Sequence, residues 1–450
     1  MRDKCFKEES AVVKPESKQV VNTDEQTLIQ TLSDRDADVR ANAARALGER
    51  GASMAVIPLI GALQDADSYV RMAAAEALGE IGDTQAVAAL VRALEENDVG
   101  PRGLAAQALG KIGKSAVEAL LPVLSARDAQ TRQAASEALG RIRDIRAAAP
   151  LAKLLGDHNR DVRQTAAWAL GQLEDSGSVV PLRQALKDKE YPVRQAATLA
   201  LGKLGVPALP AVMEALGDGY AGVRQAAAIA LGEIGGAQAT AALLSLLTDE
   251  NFAVRQTVAQ ALGKLGEAQA VLPLVGALQD GDREVRQAVA TSLGKLGDAR
   301  AVPALLEALC DPNGAVRQTA AEALDQLGWQ PAEDTSGARY WIARQNWENC
   351  IILGELSVEA LIQALDYHDG QFRAAVVQTL GQSGVPTNME RVVRALLSAL
   401  EKDPDWVVRA VTAEVLRGLP AAQRSDVERA LARFEQTFDQ HQQETDDDDA

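Results

Sequence analysis

The chain has 450 residues, 47% of them apolar but only 3% aromatic, so its core is built from Ala, Leu and Val. That is a helical composition, in which elements approach closely. A formal net charge of −17 argues against a nucleic-acid partner, because such binding draws most of its affinity from Lys and Arg meeting phosphate.

Residues 1–23 mix Lys, Glu, Ser and Val with Pro15 and show no helical period, so they are expected to form a flexible arm. From Asp24 onward an arginine recurs every 30 or 31 residues: Arg40, Arg71, Arg102, Arg132, Arg163, Arg194, Arg224, Arg255, Arg286 and Arg317. Self-similarity at that period means stacked units that each depend on their neighbours for burial. The second unit is representative: MAVIPLIGALQD predicts one amphipathic helix, ADS a turn, and YVRMAAAEALGEIGD a second helix. Proline sits in the opening turn of the first helix (Pro58, Pro122, Pro150, Pro181, Pro210, Pro273, Pro303), where its missing N–H costs little. The second helix ends in Leu-Gly, followed by another Gly able to take the left-handed cap conformation.

Ten such units occupy 24–327, and a Trp-rich insert at 328–356 then interrupts the array. Two further units, marked by Arg373 and Arg409, fill 357–420; a capping helix follows at 421–438 and an acidic, disordered tail at 439–450. The expected fold is therefore all-α: a right-handed α-α superhelix of about twelve helix pairs plus a C-terminal capping helix.

The repeated Val-Arg-x-x-Ala-Ala-x-Ala-Leu-Gly, as in VRQTAAWALGQL and VRQAATLALGKL, resembles the short HEAT-like repeat of the phycobilin lyase type, and does so over nearly the whole chain. The resemblance implies an α-solenoid. For function it implies either an interaction scaffold or, as the alternative, a phycobilin lyase or lyase-like chaperone acting on a bilin-carrying protein.

Each ladder arginine usually has an acid six positions earlier: Asp34, Asp65, Glu96, Asp157, Asp188, Asp218, Asp249, Asp280, Asp311 or Asp403. An acid in the turn can reach the arginine of its own or the neighbouring repeat and brace the stack with charge-assisted hydrogen bonds.

On a helical wheel of about 100° per residue, positions one and five after the arginine point away from the core. Position one is glutamine in seven successive repeats: Gln133, Gln164, Gln195, Gln225, Gln256, Gln287 and Gln318. In HEAT-like solenoids the second helix lines the concave surface, so the resemblance implies an amide ladder there. Position five varies: Arg45, Glu76, Gln107, Glu137, Trp168, Leu199, Ile229, Gln260, Thr291, Glu322, Gln378 and Glu414. Three adjacent repeats place Trp168, Leu199 and Ile229 where the others are polar. An apolar centre edged by Gln164, Gln195, Gln225 and Gln256 is the expected partner-binding surface. The competing reading is that the array tightens locally and buries it.

The insert concentrates Trp329, Tyr340, Trp341 and Trp347. Aromatics in a loop over a solenoid plug a gap or make a second recognition site, and both readings stay open.

Catalytic signals are thin. His158, His368 and His441 are isolated, and the recurring His-Glu pair of HEAT-type di-iron hydroxylases is missing from the sequence. Cys5, Cys310 and Cys350 suggest neither a disulfide framework nor a zinc site. Nothing beside Cys350 would lower its pKa, and the turn bearing Asp157, His158, Asn159 and Asp161 is not arranged as a metal loop. An alkylpurine-glycosylase-like enzyme would need a basic concave face, which the mixed Glu, Gln and Lys do not supply. The expectation is a non-enzymatic, monomeric scaffold for a protein or peptide, without cofactor (bilin only under the lyase alternative) or nucleic acid. The start MRDKCFKEES lacks an apolar leader and no stretch reaches the ~20 apolar residues of a membrane span, so a cytoplasmic location is expected.

Overall fold

A computed structural model describes residues 25–95, 98–383, 388–419 and 425–436. The predicted arm, Glu96 and the acidic tail lie outside them. Every regular element among the described residues is helical.

The second repeat shows how the sequence builds each unit. A 3-10 turn, Ser53–Ala55, leads into a first helix of only 7 residues, Val56–Ala62. Pro58 is its third residue, where a backbone N–H would have no partner within the α-helix, so proline forfeits no helical hydrogen bond. The expected single amphipathic helix is therefore a 3-10 entry plus two α-turns. Asp67 then caps the second helix, Ser68–Ile81, accepting from the backbone N–H groups of Tyr69 and Val70. Gly82 ends it at φ 72°, the left-handed conformation that glycine takes without steric cost. In repeats four and five Arg143 and Glu174 adopt that conformation instead, at φ 57° and 53°.

Val70, Ala74, Leu78, Leu90 and Leu94 are fully buried and typify the core. The Gly of Leu-Gly has a different role from the terminal one. A Cβ on Gly79 would lie 2.8 Å from the Cα of Ala108 in the next second helix, and one on Gly48 would lie 2.6 Å from the Cα of Ala77. These glycines let successive second helices touch backbone to backbone.

The chain divides into two compact units, up to Ala200 and from Leu201, the boundary falling within the helix Tyr191–Lys203. The first unit holds repeats one to five and the start of repeat six. In the second, the aromatic insert is helical rather than a loop: Thr335–Ala343 packs on Glu355–Ala364, and Trp347–Leu353 packs on Gly370–Ser383. Asp334 caps the first of these through the N–H groups of Ser336 and Gly337. The roughly 25 extra residues thus make a degenerate helix pair of their own, stacked between the tenth and eleventh arginine-marked pairs. The twelfth repeat is stretched because its first helix, Met389–Lys402, has 14 residues. A last helix at 425–436 closes the unit by burying Val427, Ala430 and Phe434.

Candidate functional site

The arginine ladder is directional. The Nε and Nη2 atoms of Arg132, Arg163, Arg224, Arg255 and Arg286 each grip both oxygens of an aspartate 25 residues ahead: Asp157, Asp188, Asp249, Asp280 and Asp311. Arg40 does the same with Asp65, and Arg373 with Asp403. The Nη1 of each arginine donates backwards to a carbonyl six residues earlier, as Arg163 does to Asp157 at 2.9 Å. Each aspartate is also pre-set by a backbone donor two residues on, as Asp157 is by the N–H of Asn159. The turn motif Asp-x-Asp or Asp-x-Asn therefore supplies two acceptors, one for the preceding repeat's arginine and one for the helix N-terminus. Arg71 reaches Asp98, the capping residue of its neighbour, at 2.8 Å.

These bonds set the charges. Arg224 holds the Asp249 carboxyl below its ordinary value of 3.8, and Arg40 does so for Asp65. At Asp157, Asp188 and Asp280 burial pushes the other way, and the arginine hydrogen bond with the backbone donor overcomes it. A carboxylate depressed in the folded state stabilises above its unfolded pKa and loses that contribution as pH falls through the folded value. Stability is expected to be level above about pH 5 and to drop below the ordinary carboxylate value. Urea melts followed by circular dichroism between about pH 6 and about pH 3 test this, and a flat profile would contradict it.

One rung departs. The residue six before Arg373 is Tyr367, and Arg317 lays its guanidinium 3.6 Å from the centre of that ring and 4.9 Å from that of Phe372. Arg317 thus reaches past the insert to the eleventh repeat's turn, keeping the ladder's path while losing its carboxylate. Its Nη1 still donates to the carbonyls of Asp311 and Pro312. Burial pulls its pKa below the ordinary arginine value, whereas the hydrogen-bonded aspartate raises that of Arg163, Arg224 or Arg286. The signal was in the sequence, since 367 is a ladder-acid position without an acid. At the array's end Arg409 lies 4.7 Å over Trp406, which stacks on Phe434.

Position five carries the exposed apolar groups. Trp168 is 36% and Ile229 39% exposed, and Leu199 is half-buried. Trp168 and Leu199 belong to the first unit, on second helices joined where Gly171 meets Ala200; Ile229 belongs to the second unit. The Trp168 ring edge rests over Gly140 of the preceding repeat, which fixes the indole without covering it. Beside it Glu137 is paired with Arg141. The glutamines are unequal: Gln164 is exposed and Gln195 and Gln256 half-buried, while Gln225 donates to Thr257 at 2.9 Å and Gln287 to Thr319 at 3.4 Å. A threonine one repeat on turns part of the expected amide ladder into a brace.

The insert aromatics are knitted together. Tyr340 is buried, donates its hydroxyl to Asp325 at 2.6 Å, and contacts Trp329 and Trp341 at centroid distances of 5.5 and 4.9 Å. Trp347 meets Phe372 edge-on at 5.3 Å, and Trp341 and Trp347 both pack on the core around Leu361 and Val376. Asp325, which stands where earlier repeats have Gly, also holds Arg344 at 3.1 Å.

A model of HEAT repeats matches residues 25–110, 94–168, 148–231, 209–282, 271–336 and 352–417. The chain belongs to the HEAT-repeat family. No curated protein matches it. Among solved structures it is similar to an engineered protein (22% identity, 80% of this chain and 99% of that one, TM-score 0.32). Human deoxyhypusine hydroxylase in complex with glycerol is 26% identical over 56% of this chain and 99% of its own, at a TM-score of 0.27. Importin beta is 17% identical over 92% and 68%, at 0.47.

Within this HEAT array the described residues hold no cluster of three His, Cys, Asp or Glu fit for a metal ion. Burial pushes the Cys350 thiol up to about 12, which removes its nucleophilicity near neutral pH. Among the described residues no helix is long and apolar enough to cross a membrane.

Proposed function

We propose that this HEAT-repeat protein is a non-enzymatic scaffold that binds a protein or peptide through the second-helix face, with Trp168 as the anchor. The observation that carries the reading is the exposed indole of Trp168, seated on Gly140, with Leu199 at the same repeat position of the adjoining helix. A rigid aromatic with a polar surround, here Gln164, Gln195 and the Glu137–Arg141 pair, is the composition of a binding hot spot. Ile229, with Gln225 and Gln256 nearby in sequence, offers a lesser apolar contact in the second unit. The insert aromatics Trp329, Tyr340, Trp341 and Trp347 are assigned to bracing, because their rings and hydroxyl already have partners. We take the protein to act as a cytoplasmic monomer without cofactor or nucleic acid.

Peptides selected against the full chain from a random displayed library test this. Trp168→Glu is expected to keep its helical circular dichroism while binding of those peptides weakens by about 2 kcal/mol or more. Equal affinity in the two proteins would remove Trp168 from the site. The phycobilin-lyase alternative rests on the repeat motif alone. A visible absorbance shift on mixing the chain with a bilin would favour it over the scaffold.

A further inference from the structure

In seven rungs of the ladder the Nε–Nη2 edge of the arginine is filled by both oxygens of an aspartate. At Arg317 the same edge has no carboxylate. The residue is only 3% exposed, and its buried Nε has no hydrogen-bond partner. Its own turn acid, Asp311, is already held by Arg286, and Asp369 spends an oxygen on the N–H of Phe372. A buried guanidinium donor without an acceptor is costly. A second one stands nearby: Arg339, on the insert's first helix, also has a buried Nε without a partner. Both cations act on the Cys310 thiol and on the Tyr367 hydroxyl, so the two charges share one neighbourhood. Among the described residues of a chain of net charge −17, three arginines leave a buried Nε without an acceptor, Arg317, Arg339 and, at the array's end, Arg409; the first two share a neighbourhood.

We propose that Arg317 and Arg339 form a receptor for clustered carboxylates, the Asp and Glu side chains of an acidic polypeptide segment, which complete the rung that Tyr367 leaves open. The molecule itself supplies the binding geometry seven times over, as the two-point grip of guanidinium on carboxylate. The cover is the turn 366–369, in which Tyr367 is half-buried and its neighbours are exposed. Entry of a carboxylate displaces the Tyr367 ring from the Arg317 edge. The segment can come from a partner protein or from the chain's own Glu444, Asp446, Asp447, Asp448 and Asp449. This site is separate from Trp168 and does not rest on it.

The test is the 15Nε–Hε resonance of Arg317 in the full chain, assigned by its loss in Arg317→Lys, during titration with an end-capped peptide of four aspartates. The expected result is a saturable shift that a four-asparagine peptide does not produce. Tyr367→Asp, which places a carboxylate at the ladder position from within, is expected to fold and to bind the aspartate peptide about tenfold more weakly or worse. If the chain's own segment is the source, the full chain carrying Glu444→Gln and Asn at 446–449 shows a shifted resonance that the added peptide restores. A response to the peptide in the unaltered chain instead assigns the site to a partner. The proposal is overturned if neither treatment moves the resonance, or if the asparagine peptide or Tyr367→Asp responds like the aspartate peptide on the unaltered chain.

Discussion

Arg224→Ala is expected to destabilise the second unit by about 3–5 kcal/mol, the cost of leaving a buried charge without its partner. The Arg224 and Asp249 side chains are 9% and 5% exposed, so the abandoned carboxylate has almost no water to turn to. The carbonyl of Asp218 loses its donor as well. Arg71 provides the contrast, because one of its partners, Asp98, is 38% exposed and accepts a hydrogen bond from Ser68 besides. Arg71→Ala should cost nearer to 1 kcal/mol, the range of solvated pairs. Replacing both members, Arg224→Met with Asp249→Leu, should cost less than Arg224→Ala alone, since no charge is then orphaned. Urea melts of the four proteins decide the matter. If Arg224→Ala costs no more than Arg71→Ala, the rungs set register without bearing load.

Much of this was legible in the sequence, for a physical reason. A ladder needs one arginine and one acid per repeat, so its period survives substitution elsewhere, and Arg163 with Asp157 and Asp188 can be picked out by eye. Direction was not legible: an acid six residues before its own arginine serves the previous one, because the stack rather than the turn sets which groups meet. Arg71 donates to Asp98, a helix-capping residue that the six-residue spacing does not single out. The insert escaped because its two short helices carry neither ladder arginine nor Ala-rich face; they are fixed by Tyr340 meeting Asp325 and Trp347 meeting Phe372, residues distant in sequence. At position five the wheel treats every repeat alike. The structure does not, leaving Trp168 and Ile229 exposed and Leu199 half-buried on helices of nearly the same pattern.

The same substitution should have opposite signs at two helical glycines. Gly79 lies inside the helix Ser68–Ile81, and an added Cβ would come within 2.8 Å of the Cα and 2.9 Å of the Cβ of Ala108. Carbon atoms rest at about 3.5–4.0 Å, so the helices must part. The nearest atom is backbone and no rotamer change relieves it, which puts Gly79→Ala at about 3 kcal/mol destabilising, the upper end for overpacking. Gly61, in the helix Val56–Ala62, is exposed, and nothing lies within 4 Å of its added Cβ. There alanine only lowers the entropy of the unfolded chain and improves helix propensity, a gain of up to about 1 kcal/mol. Conformational preference alone would make both substitutions stabilising. Thermal and urea melts of the two single variants separate preference from packing, and a gain at Gly79 equal to that at Gly61 would mean that the second helices yield freely and the Leu-Gly step has no part in holding the stack.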